Sequence, residues 1–162
     1  MTGNDTSRST MVNNLFRELD GSGEVAVETP GEAVGSGPEP ERVLSNVVGD
    51  LFPGEEFEFD EDMIKQNLDE ILVVLIALRD SETHGKGLME DLSRLFDARL
   101  SPGTVYPRLH EIEEEGVLRT HEMVRTKEYR IDDMPRASEM IENAMYQHLA
   151  LGLFLHAALN EL

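Results

Sequence analysis

Residues 100–118 read LSPGTVYPRLHEIEEEGVL, and this stretch is punctuated from end to end as one helix. Ser101 stands where an N-cap belongs, and Pro102 follows at the first helical position, where its missing N–H costs nothing. Val105, Leu109 and Ile112 recur at i, i+4 and i+7 as a buried stripe. Gly116, directly after Glu115, suits a left-handed cap. The spacing therefore predicts a helix over 101–115. Pro107 lies inside it, where it removes one hydrogen bond and should bend the axis. Glu113–Glu115 reads as a solvated face on the last turn.

Upstream, Leu88, Leu92, Leu95 and Phe96 predict a helix over 86–97, preceded by a break at 80–85. Before the break, Leu68, Ile71, Leu72, Leu75, Ile76 and Leu78 mark a strongly buried helix starting near Asp62, with Asp60 or Asp62 as N-cap. Only a few residues join the second helix to the third, as a helix-turn-helix requires. Downstream of Gly116 the period changes. Val117–His121 and Glu128–Ile131 read as two strands around 122–127, a hairpin with a basic tip that would form a wing over 119–130. Residues 137–162 then predict a long helix that is apolar over most of its circumference. A twin subunit is the expected cover for it, with Ile141, Met145, His148, Leu149 and Leu155 at the interface. The expected fold is mainly α with a small β-hairpin: a winged helix-turn-helix with a long C-terminal dimerisation helix. The expected domains are an acidic, largely disordered extension over 1–60, a winged helix over 61–134 and the dimerisation helix over 135–162.

Within the extension, residues 20–41 are rich in Gly, Pro, Glu and Ser and bury too little to offset ordering entropy, which predicts a disordered linker. Val12, Leu15, Phe16 and Leu19, and again Leu44, Val47, Val48 and Leu51, fall at helical spacing and predict two short amphipathic helices. They either pack on the domain or fold on a partner.

The formal charge of the 162-residue chain is −19, with 33 acidic against 14 basic side chains, only three of them lysine. Phosphate repels such a surface, which argues against nucleic acid. The same acidic, lysine-poor, cysteine-free composition is similar to that of salt-in halophilic archaea, where molar salt shortens the Debye length to about 3 Å. Charge distribution then matters more than the total. Residues 84–131 hold 8 of the 14 basic side chains and are nearly neutral against an acidic background. Without cysteine, a disulfide framework and a cysteine-ligated zinc site are excluded. The start MTGNDTSRST carries no secretory pattern, and the longest apolar stretch, Ala144–Leu159, is shorter than the roughly 20 apolar residues of a membrane span. The expectation is a cytoplasmic protein with no membrane contact.

A helix N-terminus offers unpaired N–H groups and partial positive charge to a phosphate or base edge. Ser101 and Thr104 stand at that end with hydroxyl donors, and Tyr106 and Arg108 flank the core stripe. Arginine can bridge guanine O6 and N7 in the major groove. Lys86 can hold a phosphate from the second helix, and Arg125, Thr126 and Lys127 can do so from the wing or reach a minor groove. His110 borders the same helix and can meet phosphate. Each residue also has a plain structural reading: Ser101 as a cap, Thr104 as a solvated position, Tyr106 as packing, and Arg108 paired with Glu111 or Glu115. The five histidines show no metal spacing, and no phosphate loop or nucleophile elbow appears. No metal, cofactor or enzymatic activity is expected.

Leu100-Ser101-Pro102-Gly103-Thr104-Val105-Tyr106-Pro107-Arg108-Leu109, continued by Glu111 to Leu118, closely resembles the signature of the PadR family of transcription regulators, and His84-Gly85 resembles its aromatic-Gly step. The resemblance covers roughly residues 66–162. It implies a homodimeric regulator of double-stranded DNA, usually a repressor, joined through its C-terminal helix. In some members a small aromatic effector binds between the subunits, which implies a small-molecule site at the dimer interface. Two departures stand out. The wing offers only Arg125, Lys127 and Arg130 in place of an Arg-rich run, and Asp132-Asp133-Met134-Pro135 replaces the usual Thr-x-x-Gly step. The alternative function is a protein–protein interaction module working through the acidic N-terminal extension.

Overall fold

The computed structural model describes residues 10–11, 13–17, 39–79 and 83–162. They fall into two compact units, Met1–Glu58 and Phe59–Leu162.

In the first unit, residues 10–11 and 13–17 are helical, and α1 spans Glu39–Leu51. Both amphipathic segments are thus helical where described; Val12 and Leu19 lie outside the described residues. The expected linker also lies outside them over 20–38, whereas residues 39–41 form the first turn of α1 rather than linker. Glu39 and Glu41 suit that turn because a helix N-terminus carries partial positive charge. Phe52 and Phe57 stack after the helix, with ring centroids 4.4 Å apart.

The second unit begins with α2 (Glu61–Gln66) and α3 (Leu68–Ala77). Asp60 caps α2, its carboxylate accepting from the backbone N–H of Asp62 and Met63. The single helix expected from Asp62 is broken at Asn67, which leaves the helical region (φ −111°, ψ 23°) and donates its side-chain amide to the Met63 carbonyl. A short asparagine that satisfies the backbone locally competes with helix continuation. A two-residue strand β1 (Thr83–His84) follows in part of the segment expected as a break; residues 80–82 lie outside the described residues.

Next come α4 (Gly85–Phe96), α5 (Pro102–Glu114), the strands β2 (Leu118–Glu122) and β3 (Lys127–Ile131), and α6 (Met134–Leu159). The three strands form an antiparallel sheet in the order β1-β3-β2. The hairpin closes with Met123 N–H donating to the Thr126 carbonyl at 2.8 Å. Asp97, left-handed at φ 50°, ends α4 and starts the short turn into α5.

Leu72, Leu75, Leu88, Leu92, Leu109 and Leu118 are fully buried in one core shared by α3, α4, α5 and the sheet. Each such side chain contributes about 1.5–3 kcal/mol by leaving water. This core fixes α5 from behind and leaves its other face free. The Asp-Asp-Met-Pro departure has a structural reason: Asp133 caps α6, its carboxylate accepting from Arg136 N–H at 3.1 Å, with Pro135 in the first turn.

Candidate nucleic-acid interface

Val105, Leu109 and Ile112 bury one side of α5, which places Gly103, Pro107, His110 and Glu114 on the opposite, exposed stripe. At its N-terminal end that stripe carries almost no side-chain bulk. Its acidic residues lie toward the C-terminal end.

Ser101 occupies the N-cap position, and its carbonyl accepts from Thr104 and Val105 N–H at 2.9 and 3.1 Å. Its hydroxyl does not cap a backbone N–H. It pairs instead with the Thr104 hydroxyl at 3.1 Å, so two exposed hydroxyls sit together at the helix start. The first-turn N–H groups that this leaves without a side-chain acceptor suit an anion from outside.

Arg108 is engaged differently from the base-reading role expected of it. Its guanidinium grips the Asp69 carboxylate on α3 through Nε (2.7 Å) and Nη2, and reaches Glu111 at 3.0 Å. The Asp69 hydrogen bond, ahead of all other influences, holds its proton more firmly than in a free arginine. Asp69 lies 39 residues away in sequence, so local spacing reveals only the Glu111 half of this pairing.

Tyr106, 40% exposed, leans toward the start of α4. A Cβ placed on Gly85 would lie 2.5 Å from the Tyr106 ring, so the glycine is required by a ring lying directly on its backbone. The ring thereby fixes the flank of α5 beside Lys86. On the same side, the Thr120 hydroxyl donates to Glu113 at 2.6 Å, and burial pushes the Tyr129 phenol up. His110 faces outward, its Nε2 3.3 Å from the Glu114 carboxylate.

Lys86 and Arg125 are exposed and make no ion pair or side-chain hydrogen bond among the described residues. Thr126 is exposed at the hairpin turn, and Lys127 lies 3.6 Å from Glu122. Arg130 is tied to Glu128, which is 2% exposed despite its charge. Two further exposed cations without partners among the described residues, Arg99 and Arg119, escaped the sequence reading. Neither falls in a motif, but Arg119 lies in the wing opposite Arg130.

The candidate surface therefore has a helix N-terminus with two paired hydroxyls and a tyrosine packed on the α4 backbone, and α4 and the wing each carry exposed cations without an ion pair among the described residues. Among the described residues, no group of three or more His, Cys, Asp or Glu is placed to hold a metal. No helix among them is long and apolar enough to cross a membrane.

On α6, Ile141 packs against the chain's own core, and Met145 and His148 line a cleft against α2 and α3. The His148 ring also meets the Ala144 carbonyl at 2.6 Å. Leu149 is half-buried and Leu155 is 53% exposed. Of the five expected interface residues, Ile141 packs into its own domain, whereas Met145 (43%) and His148 remain exposed although they line that cleft. Exposed apolar surface runs along α6 from Met145 and Tyr146 to Leu151, Phe154, Leu155 and Leu159.

Fold and site together define a winged helix-turn-helix. Residues 74–138 match the family described as transcriptional regulator PadR-like. The transcriptional activator GvpE of Haloferax mediterranei is 44% identical over 98 residues, covering 60% of this chain and 50% of that protein. The transcriptional activator GvpE1 of Halobacterium salinarum is 41% identical over 99 residues, covering 61% and 51%. The chain spans about half the length of the curated relatives it matches. The crystal structure of Pex from Synechococcus aligns over 56% of this chain and 98% of its own, at 20% identity and a TM-score of 0.38. The matching family and the two GvpE relatives are described as transcription regulators, not enzymes.

Proposed function

We propose that this chain is a sequence-specific DNA-binding transcription regulator of the cytoplasm that acts as a homodimer. The observation that carries the reading is the N-terminal half of α5. Apart from the buried Val105 it is exposed and free of acidic side chains, and Lys86 of α4 and Arg125 of the hairpin are exposed cations without an ion pair among the described residues, in a protein of net charge −19. In this reading Ser101, Thr104 and Tyr106 enter the major groove with His110 at its edge. Lys86, Arg125, Thr126 and Lys127 hold phosphate or the minor-groove edge. Arg108 reads a base only by exchanging Asp69 for DNA. Three relatives named as activators favour activation over the repression that the family resemblance implies.

The apolar residues Leu151, Phe154, Leu155 and Leu159 of α6 support pairing with a second copy. A small apolar effector has a place in the cleft of about 280 Å³ between α2, α3 and α6, lined by Phe59, Ile71, Phe96, Ile141 and Met145.

The test is a titration of DNA from upstream of the chain's own gene, in molar KCl with scrambled competitor, using the natural protein and Thr104→Ala. Competitor-resistant binding that weakens in the variant supports the reading. Binding that is equal on scrambled DNA, or unaffected by the substitution, overturns it for this surface.

A further inference from the structure

The C-terminal end of α5 is an awkward place for three consecutive glutamates, because the exposed carbonyls there already carry partial negative charge. One cation answers them. Arg136, in the first turn of α6, donates from Nη1 to the Glu115 carbonyl at 2.5 Å, closing the helix where Gly116 (φ 81°) turns the chain away. Arg136 is the only lysine or arginine in residues 132–162. Although Glu115 and Glu139 line the same cleft, it makes no ion pair among the described residues. Its acceptor is a neutral backbone carbonyl, so the contact survives salt that would screen an ion pair.

The bond sits in a joint. Asp132 N–H donates to the Val117 carbonyl at 2.8 Å, Val117 N–H donates to Ile112 O at 3.2 Å, and Asp133 caps α6 by accepting from Arg136 N–H. Two of these contacts tie the wing strands and helix ends to one another. Among the side-chain hydrogen bonds of the described residues, that of Arg136 is the one that runs from α6 to the end of α5.

We propose that Arg136 is a positioning residue that fixes the angle between the recognition helix and α6, and thereby the spacing of the DNA half-sites the dimer accepts. The proposal rests on the DNA-reading dimer above. In a dimer joined through α6, a tilt of α5 against α6 is doubled between the two copies. Half-site separation is matched to recognition-helix separation, about 34–36 Å per helical turn. A looser α5 would leave each half-site contact intact and blur the choice of spacing.

Two measurements test it, one of them independent of DNA. The chain has no cysteine, so exposed Glu114 and Glu142 can be changed to cysteine and spin-labelled, with unlabelled protein in excess to isolate distances within one chain. The expected result is a narrow α5–α6 distance distribution that broadens with Arg136→Ala and narrows again in part with Arg136→Lys, which can donate one hydrogen bond to the same carbonyl. An unchanged distribution in Arg136→Ala overturns the proposal. In parallel, operators differing by a base pair or two in spacer length are titrated. An affinity ratio of about tenfold between preferred and shifted spacing should fall to about twofold in Arg136→Ala, with single half-site affinity kept. Equal loss at every spacing and on the half-site also overturns it, since that is the mark of a merely structural residue. Absence of specific binding by the natural protein would bring down the DNA-reading function, while the label distances still decide whether Arg136 sets the angle.

Discussion

Gly85→Ala should be costly out of proportion to one methyl group. The added Cβ would lie 2.5 Å from Tyr106 Cε1, 2.6 Å from its hydroxyl oxygen and 2.7 Å from Cζ. The clashing atoms are the far end of a tyrosine that is 40% exposed, so Tyr106 swings outward and gives up its packing on α4, or α4 shifts from α5. Overpacking of this kind costs about 1–3 kcal/mol. Against it stands the helix preference of alanine over glycine, worth up to about 1 kcal/mol in a helix interior and less at the first position. The net expectation is about 1–2 kcal/mol, or roughly 5–30-fold in the folding equilibrium. Urea unfolding in molar KCl would measure it as a lowered midpoint with an unchanged slope. The decisive control is the same substitution in a Tyr106→Ala background. There the three closest clashing atoms are gone, and Gly85→Ala should cost far less than in the natural protein. If the cost is the same in both backgrounds, the ring is not what demands the glycine, and the argument for how α4 holds α5 fails.

Other expectations follow from single contacts. Asp69→Asn should raise DNA affinity if Arg108 reads a base, because it weakens the grip that holds the guanidinium on α3; lowered affinity in a titration would assign Arg108 to structure alone. Lys86→Ala and Arg125→Ala should each weaken binding to all sequences alike and reduce the salt slope by about one, read from titrations at several KCl concentrations. Asp91, 2% exposed, has its carboxyl pushed up by burial, which outweighs the opposing pull of Arg79. An acid whose folded pKa exceeds its unfolded one contributes stability at low pH that is lost as pH rises from its ordinary value of 3.8 through the folded value. Unfolding measured across that window should show this downward component in the natural protein and not in Asp91→Asn. Leu151→Asp with Leu155→Asp should give a folded monomer by light scattering, because both side chains are exposed within one chain; a surviving dimer would move the interface elsewhere.

The helix-turn-helix was legible because its signals are local. Ser101-Pro102 and Gly116 punctuate α5, and the Val105–Leu109–Ile112 stripe names its buried side. The wing was legible from the change to period two. Strand β1 was not, since two residues carry no periodicity and Thr83–His84 becomes a strand only by pairing with Tyr129 and Glu128. The break at Asn67 was hidden by an apolar pattern that continues across it in phase. Ser101 was rightly placed at the cap position, but its hydroxyl partner depends on a rotamer that sequence does not specify. Arg108 illustrates the larger limit. Its flank position was readable, whereas Asp69 became its partner only when α3 packed against α5. The interface side of α6 was likewise blurred, because an all-round apolar helix does not say which of its residues serve its own domain. Arg119 and Arg136 lie in no motif and gain meaning only from the sheet register and the joint.

In the proposed dimer the exposed stripe of the N-terminal half of α5 reads DNA sequence in duplicate. Selection from a random duplex library by the full chain in molar KCl tests it most directly. The expected result is an enriched inverted repeat whose half-sites lie about one helical turn apart, and loss of that enrichment with Thr104→Ala together with Tyr106→Ala. Recovery of no motif, or of the same motif with the doubly substituted protein, would contradict it.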